Sequence, residues 1–393
     1  MEPVAHSGSC VPVSNLVGRG TRCSEGRANP RPTGLRARPR LPTKPAVRRQ
    51  EPTVSTDVPE APPESLSSPP VATAEGEGTD ADFRSGFVAL AGRPNAGKST
   101  LLNHILGAHL AITSDKPQTT RNRIVGIHNL EDLQAVLIDT PGLHKARSRL
   151  NRALVDVATA ALTEADVTCW VVDAVPLVRS MQKEPNRSPL TRAHTVVGGI
   201  LTDNSRGPVV VALNKVDRCH RGWLLPVIGA FSQAFPDITV VPVSAKTGVG
   251  VEGLVDVWRK LLPVAPPMYP PDQWTEASER FLVAELVREQ LFRLTKQEVP
   301  YATAVEVEQF EEGPRQADGS RGRVQIYCRI WVERGGQKGI VIGKGGTMLR
   351  EIGQRARQNI SELLDARVHL ELHVSVKERW SESPHMLHEL GIS

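Results

Sequence analysis

Residues 92–99, Gly92-Arg93-Pro94-Asn95-Ala96-Gly97-Lys98-Ser99, follow an apolar run and open a helical stretch that continues through Thr100. The spacing is G-x(4)-G-K-[ST]. Glycines at both ends let backbone N–H groups close around phosphate oxygens. The Lys98 ammonium reaches the β/γ-phosphates, and the Ser99 hydroxyl completes a magnesium shell. A strand, a phosphate cradle and a helix in that order predict an α/β domain built around a nucleoside phosphate.

Working outward, short apolar runs at 87–91, 135–138, 168–172, 209–213 and 239–243 alternate with helical stretches at 99–106, 150–164, 223–235 and 251–262. Continuous apolar strands are buried on both faces, and alternation with helices implies a mostly parallel sheet with right-handed crossovers. Residues 176–208 read as a long polar insertion with partial disorder.

Three further motifs end these runs. Asp139-Thr140-Pro141-Gly142 puts a carboxylate where it can hold Mg²⁺ and an N–H where it can meet a γ-phosphate, with Leu143 standing where many switch GTPases place a water-orienting Gln. Asn214-Lys215-Val216-Asp217 offers a carboxylate to the N1–H and N2 edge of guanine, Asn214 to the base edge and Lys215 to the base face. Ser244-Ala245-Lys246 brings a backbone N–H towards guanine O6. Each tetrapeptide alone is weak; four in this order, each at a strand's carboxyl end, match the crevice rule for open α/β sheets. Gln118-Thr119-Thr120-Arg121-Asn122 supplies the threonines of a nucleotide-sensitive switch loop, and either Thr119 or Thr120 can be its metal ligand.

A proline-rich linker at 263–274 separates this domain, 83–262, from a second at 275–393. There Phe281, Ala284, Val287, Leu291 and Leu294 mark one helix face, and two strands alternate strictly from Val324 and from Val368. The order helix, strand, strand, loop, helix, strand describes a small α/β sandwich. Within it Gly343-Lys344-Gly345-Gly346 precedes a helix, a G-x-x-G turn that admits a nucleic-acid backbone. From Arg334 to Arg357 six basic residues, among them Lys338 and Arg350, meet one acid, Glu351.

Residues 1–50 carry ten Arg/Lys against Glu2 and Glu25, while 51–85 carry eight acids against Arg84. With almost no apolar periodicity, residues 1–82 read as a disordered extension, and their Arg-rich, acid-poor start as an organelle transit peptide. Five cysteines without a CxxC pair fit a reducing compartment and argue against a zinc site.

Residues 86–380 resemble the Era family of GTPases, which join a Ras-like P-loop domain to a type II KH domain. The stretches that carry the likeness are 92–102, 112–127, 139–145, Glu279-Arg280-Phe281, Glu298-Val299-Pro300-Tyr301 and 375–380. The resemblance implies a GTP/GDP switch that hydrolyses GTP with Mg²⁺, with Asn95 as a candidate K⁺ ligand. It also implies binding to small-subunit ribosomal RNA near its 3′ end during assembly of the small ribosomal subunit, and peripheral membrane contact. The chain is expected to act as a monomer. A GTPase of tRNA modification or of membranes, using the second domain to dock protein, is the alternative. The extension is absent from typical bacterial members and points to an organelle, the chloroplast stroma ahead of the mitochondrial matrix. If it is not a transit peptide, the cytoplasm is expected.

Overall fold

The computed structural model describes residues 82–390 apart from 115, 117, 118 and 143–148. The expected N-terminal transit segment, Gln118 and Leu143 therefore lie outside the described residues.

Six strands form the first sheet: β1 Arg84–Ala91, β2 Ile124–Asn129, β3 Leu133–Asp139, β4 Val167–Asp173, β5 Val209–Asn214 and β6 Thr239–Pro242. Their spatial order is β2-β3-β1-β4-β5-β6, parallel throughout except for the β2–β3 hairpin. Parallel strands need helical crossovers on both faces, so the central strands are apolar on both sides. Val88, Leu90, Leu137 and Val171 face one core, sealed by Trp258; Ala89, Trp170 and Leu213 face the other with Phe231.

Residues 176–208 are not a loose insertion. They fold as helices α3 Ala174–Lys183 and α4 Arg192–Asn204, after α1 Lys98–Leu106 and α2 Arg149–Glu164. Leu177, Val178 and Met181 of α3 and Val197 and Leu201 of α4 are buried in the second core. Each apolar stripe is short, and the polar turn between them hides their 3.6-residue period. Helices α5 Leu224–Ala234 and α6 Val251–Leu261 complete the layers.

Residues 263–275 lie along the sheet rather than spanning free space. Ser85 donates from its hydroxyl to the Pro266 carbonyl (2.7 Å), Gln134 Oε1 accepts from the Met268 and Tyr269 amides, and the Ile127 amide donates to the Trp274 carbonyl (2.9 Å). Proline's missing N–H suits such a strap, which needs few donors of its own.

The second sheet holds β7 Thr303–Glu312, β8 Val324–Val332 and β9 Val368–Val376, with β7–β8 antiparallel and β8–β9 parallel. Helices α7 Glu279–Leu294, α8 Gly335–Ile342 and α9 Thr347–Leu364 cover one face, and α10 Pro384–Glu389 follows the last strand. Helix α8 is an element beyond the expected order. Among the described residues no helix is long and apolar enough to cross a membrane.

Candidate functional site

The loop after β1 takes its shape from residues in the left-handed region: Gly92 at φ 141°, Asn95 at 61° and Gly97 at 100°. A Cβ on Gly92 would lie 2.3 Å from the Val171 carbonyl oxygen, so only glycine fits there. Helix α1 then begins at Lys98, aiming its N-terminus into the loop. Lys98 is buried, with Nζ 3.4 Å from the Gly92 carbonyl and 3.5 Å from that of Arg93. Burial lowers its pKa, while Asp139 acts to raise it.

Three oxygens converge beside it. Ser99 Oγ donates to Asp139 Oδ2 at 2.7 Å, Thr120 Oγ1 donates to the same oxygen at 3.1 Å, and the two hydroxyls are 3.0 Å apart. Asp139 Oδ1 is buried without a partner, and burial pushes its carboxyl above the usual carboxylate range, against the pull of Lys98. A buried carboxylate with an idle oxygen and two hydroxyls at its side is a donor set for a hard divalent cation. Of the two threonines it is Thr120 whose hydroxyl joins this cluster; the Thr119 carbonyl accepts from Arg288. A crevice of about 240 Å³ opens here, lined among others by Pro94, Asn95, Thr100, Thr119, Gly142 and Lys215. Thr140 is buried and donates to the Leu90 carbonyl at 2.8 Å, holding the Asp139 strand end against β1.

Asn214 is held between two loops. It is buried, donates to the Ala96 carbonyl at 2.8 Å and accepts from the Lys215 and Ala245 amides at 2.7 and 2.9 Å. It thereby ties the phosphate loop to the fifth-run motif, because its short amide satisfies both loops at once. Lys215 stretches over the crevice, with Nζ 2.7 Å from the Asn95 carbonyl and 2.7 Å from Asp173 Oδ2. Val216 opens the following turn. Asp217 is exposed, and its Oδ1 accepts from the Ser244 hydroxyl at 2.7 Å, which orients the carboxylate. The Ala245 amide is taken by Asn214 and the Thr247 amide by Ser244 Oγ, so Lys246 carries the loop's intervening N–H. Asp173, absent from the expected set, also caps α3 by accepting from the Val175 amide at 2.9 Å. An acid at the end of an apolar strand and the start of a helix was its signal.

The switch segment meets the second domain. Arg121 is buried and donates to the carbonyls of Thr303 (2.7 Å), Tyr301 (2.9 Å) and Pro300 (3.3 Å), between the rings of Phe292 and Trp380. Burial, with Arg288 nearby, brings its pKa down to about 9. Asn122 Nδ2 donates to the Leu390 carbonyl at 3.1 Å. Upstream, the Thr113 amide donates to Glu289 Oε1 at 3.1 Å, and His109 Nε2 lies 3.2 Å from the same oxygen.

That last contact carries a pH dependence. The hydrogen bond to Glu289 raises the His109 pKa above 6.5, against burial and the Arg293 charge. A raised folded value means the contribution is full below the unfolded pKa and is lost as pH rises through the folded one. The melting temperature advantage of wild type over His109→Gln should therefore shrink as pH climbs from about 6. An advantage independent of pH would refute it.

In the second domain the GxxG turn links α8 to α9. Gly343 (φ 72°) is glycine for internal reasons, since a Cβ would sit 2.7 Å from Met348 Cβ. At Gly345 (φ 60°) and Gly346 (φ 76°) a Cβ would meet nothing within 4 Å. Lys344 is exposed beside them. A groove of about 560 Å³ runs on from Gly346, with Leu349, Leu370 and Leu372 as apolar lining and Arg350, Arg357 and His369 as polar lining. Arg350 is thus at the groove, whereas Lys338 sits on α8 away from its lining.

A parallel sheet bearing a phosphate loop, a hydroxyl–carboxylate metal cluster and an oriented Asp217, joined to an α/β domain with a GxxG turn, defines a P-loop GTPase fused to a KH domain. The comparisons agree. A profile described as 50S ribosome-binding GTPase matches residues 87–215, and a KH domain profile matches 298–381. GTPase Era of Geobacter metallireducens is 49% identical over 313 residues, 80% of this chain and 99% of that one. The structure of Era in complex with MgGDPNP and nucleotides 1506–1542 of 16S ribosomal RNA superposes with TM-score 0.72 at 34% identity, covering 79% and 99% of the two chains. An Era variant from Aquifex aeolicus bound to GDP and AlF4⁻ gives 0.70 at 34% identity, covering 79% and 100%. The chain belongs to the GTPase Era family and hydrolyses GTP.

Proposed function

We propose that this GTPase is a nucleotide-switched assembly factor that binds ribosomal RNA of the small subunit through its KH groove. The observation that carries the reading is the junction itself. The domain bearing the GxxG turn also holds the switch segment at Arg121. Nucleotide state and RNA binding then share one set of contacts, which a domain serving only to dock protein would not need. The solved relative bound to 16S ribosomal RNA supports the choice of partner.

Ser99, Thr120 and Asp139 would hold Mg²⁺, which supplies positive charge to the β/γ-phosphates when bound. Lys98 adds a second positive centre, and the N–H groups of the 92–99 loop neutralise the phosphate oxygens. Asp217, held by Ser244, selects guanine through its N1–H and N2 amine, and the Lys246 N–H faces O6. Asn95, in its left-handed turn above the crevice, is the candidate K⁺ ligand. Leu143 offers no polar group to a water, so basal turnover is slow and leaves room for stimulation by RNA or K⁺.

Asp217→Asn should shift preference from GTP to XTP by about 1–3 kcal/mol, the cost of one mismatched polar pair once the base covers it. Nucleotide titrations that leave GTP affinity unchanged would remove Asp217 from the base site. For the function as a whole, single-stranded RNA from the 3′ end of small-subunit ribosomal RNA should bind more tightly with a non-hydrolysable GTP analogue than with GDP. It should crosslink around residues 343–346. Equal affinity in both states would leave a GTPase whose RNA binding is not switched.

The Arg-rich N-terminal extension lies outside the span shared with the Era relatives, which supports reading it as an organelle address. Residues 1–82 fused to a reporter should then enter a chloroplast or mitochondrion.

A further inference from the structure

Thr120 has a hydroxyl on Asp139, yet the backbone on either side of it is held from the other domain. On its N-terminal side, the Thr119 carbonyl accepts from Arg288 Nη2. Arg288 lies on α7 and is buried, and its guanidinium is gripped from below by Glu285, with Nε to Oε1 at 2.7 Å and Nη2 to Oε2 at 2.6 Å. Such a two-point pair fixes the plane of the guanidinium and so the direction of its remaining N–H groups. On the C-terminal side, Arg121 reaches three carbonyls at the start of β7. Among the described residues, the hydrogen bonds made by residues 119–122 go to the KH domain, except those of the Thr120 hydroxyl. The nucleotide domain alone supplies nothing comparable to fix this backbone.

We infer that Arg288 of the KH domain and Arg121 of the switch segment are positioning residues for the GTPase site, holding Thr120 where its hydroxyl can join Ser99 and Asp139 around the metal. The inference rests on the nucleotide-switch reading of that site and adds a supporting half contributed by the RNA-binding domain. The two anchors act by preorganisation. A loop residue free to sample several backbone wells loses conformational entropy when fixed, and two flanking anchors meet that cost before nucleotide arrives. Arg121 has a guanidinium fork that serves several carbonyls at once, which a lysine ammonium on a flexible stem cannot reproduce with the same geometry. Neither arginine is among the residues lining the nucleotide crevice, so neither is named a catalytic residue.

The test needs no RNA, so its outcome is independent of whether RNA binding is switched. In the full chain, Arg288→Met, Arg288→Lys, Arg121→Met and Arg121→Lys are compared with wild type. The readout is the affinity of a fluorescent non-hydrolysable GTP analogue, and of fluorescent GDP, across a Mg²⁺ titration, with hydrogen exchange of residues 119–124. A switch threonine contributes to the metal shell only when a γ-phosphate is present. Both Met variants should therefore need at least about tenfold more Mg²⁺ to bind the analogue. Their GDP affinity should stay within about twofold, and amides 119–124 should exchange faster in the analogue-bound state. Arg288→Lys should recover part of the loss and Arg121→Lys little of it. A merely structural role would lower both nucleotide affinities together with the melting temperature. That result, or an unchanged Mg²⁺ requirement in folded variants, overturns the inference. If Arg288→Met unfolds because Glu285 is left buried and unpaired, the Arg121 pair decides the question alone.

Discussion

Lys98→Ala should bring GTP hydrolysis down by at least about 10²–10³-fold, the loss typical of removing one preorganised charge partner of a transition state, while the protein melts normally. The two halves of that expectation come from the same geometry. Nζ sits inside the phosphate loop, at 3.4 Å from the Gly92 carbonyl, where it contributes no apolar packing. Its burial already disfavours the charged form, so deleting the ammonium relieves a desolvation cost as it removes a hydrogen bond. What disappears without compensation is the positive charge beside Asp139, whose carboxyl is already held above its usual range by burial. Asp139 loses a competing cation and keeps its own charge for the metal, so the partner left short of positive charge is the phosphate, and nucleotide affinity should fall together with turnover. Single-turnover hydrolysis and a melting curve check both halves. Wild-type turnover in a folded variant would exclude Lys98 from the phosphate site.

The second large effect concerns the GxxG turn. Lys344→Asp with Gly345→Asp should weaken binding of single-stranded ribosomal RNA strongly and flatten its salt dependence, since losing one phosphate-contacting cation reduces the slope by about 1. Folding should survive, for a reason specific to these positions. Gly345 has φ 60° and ψ 25°, a left-handed conformation that aspartate tolerates better than most residues, and its Cβ would touch nothing. Gly343→Asp would be a different experiment, because its Cβ would collide with Met348 and unseat α9. The space at Gly345 and Gly346 is open to a ligand backbone, whereas that at Gly343 is filled by the fold. RNA affinity at two salt concentrations beside a melting curve separates the cases. Full RNA binding by a folded double mutant would end the assignment of this turn to RNA; loss of RNA binding accompanied by unfolding would mark it as structural.

Much of this was legible in the chain because strand-end motifs are local. The phosphate loop, Asp139, Asp217 and the GxxG turn each lie within a few residues of the element that positions them. Period-2 and continuous apolar runs located seven of the nine strands among the described residues; β2 and β7 went without a separate assignment. The β2 stretch begins inside the 112–127 segment already singled out for family likeness and runs two residues past it. Helices α3 and α4 were obscured because their buried stripes are brief and a polar turn divides them. Asn214 has a further duty that sequence does not reveal, since a buried amide that also ties two loops together looks identical in sequence to one serving a base alone. The choice of Thr120 over Thr119 turns on hydroxyl contacts about 20 positions away, and every contact of Arg288 and Glu289 with the switch segment joins residues about 170 or more positions apart. No window of sequence contains both partners.

That separation has a consequence during synthesis. Arg121 reaches the Thr303 carbonyl across 182 residues, and the Trp380 ring beside it is made later still. From the end of the nucleotide domain at 262 to Trp380 is 118 residues; at about 5–20 residues per second, translation leaves an interval of roughly 6–24 s in which that domain is made but its switch loop has no complete dock. A ribosome-bound nascent chain in that interval should bind GDP and GTP without distinguishing them well. The chain acquires its clock only when its last domain leaves the exit tunnel.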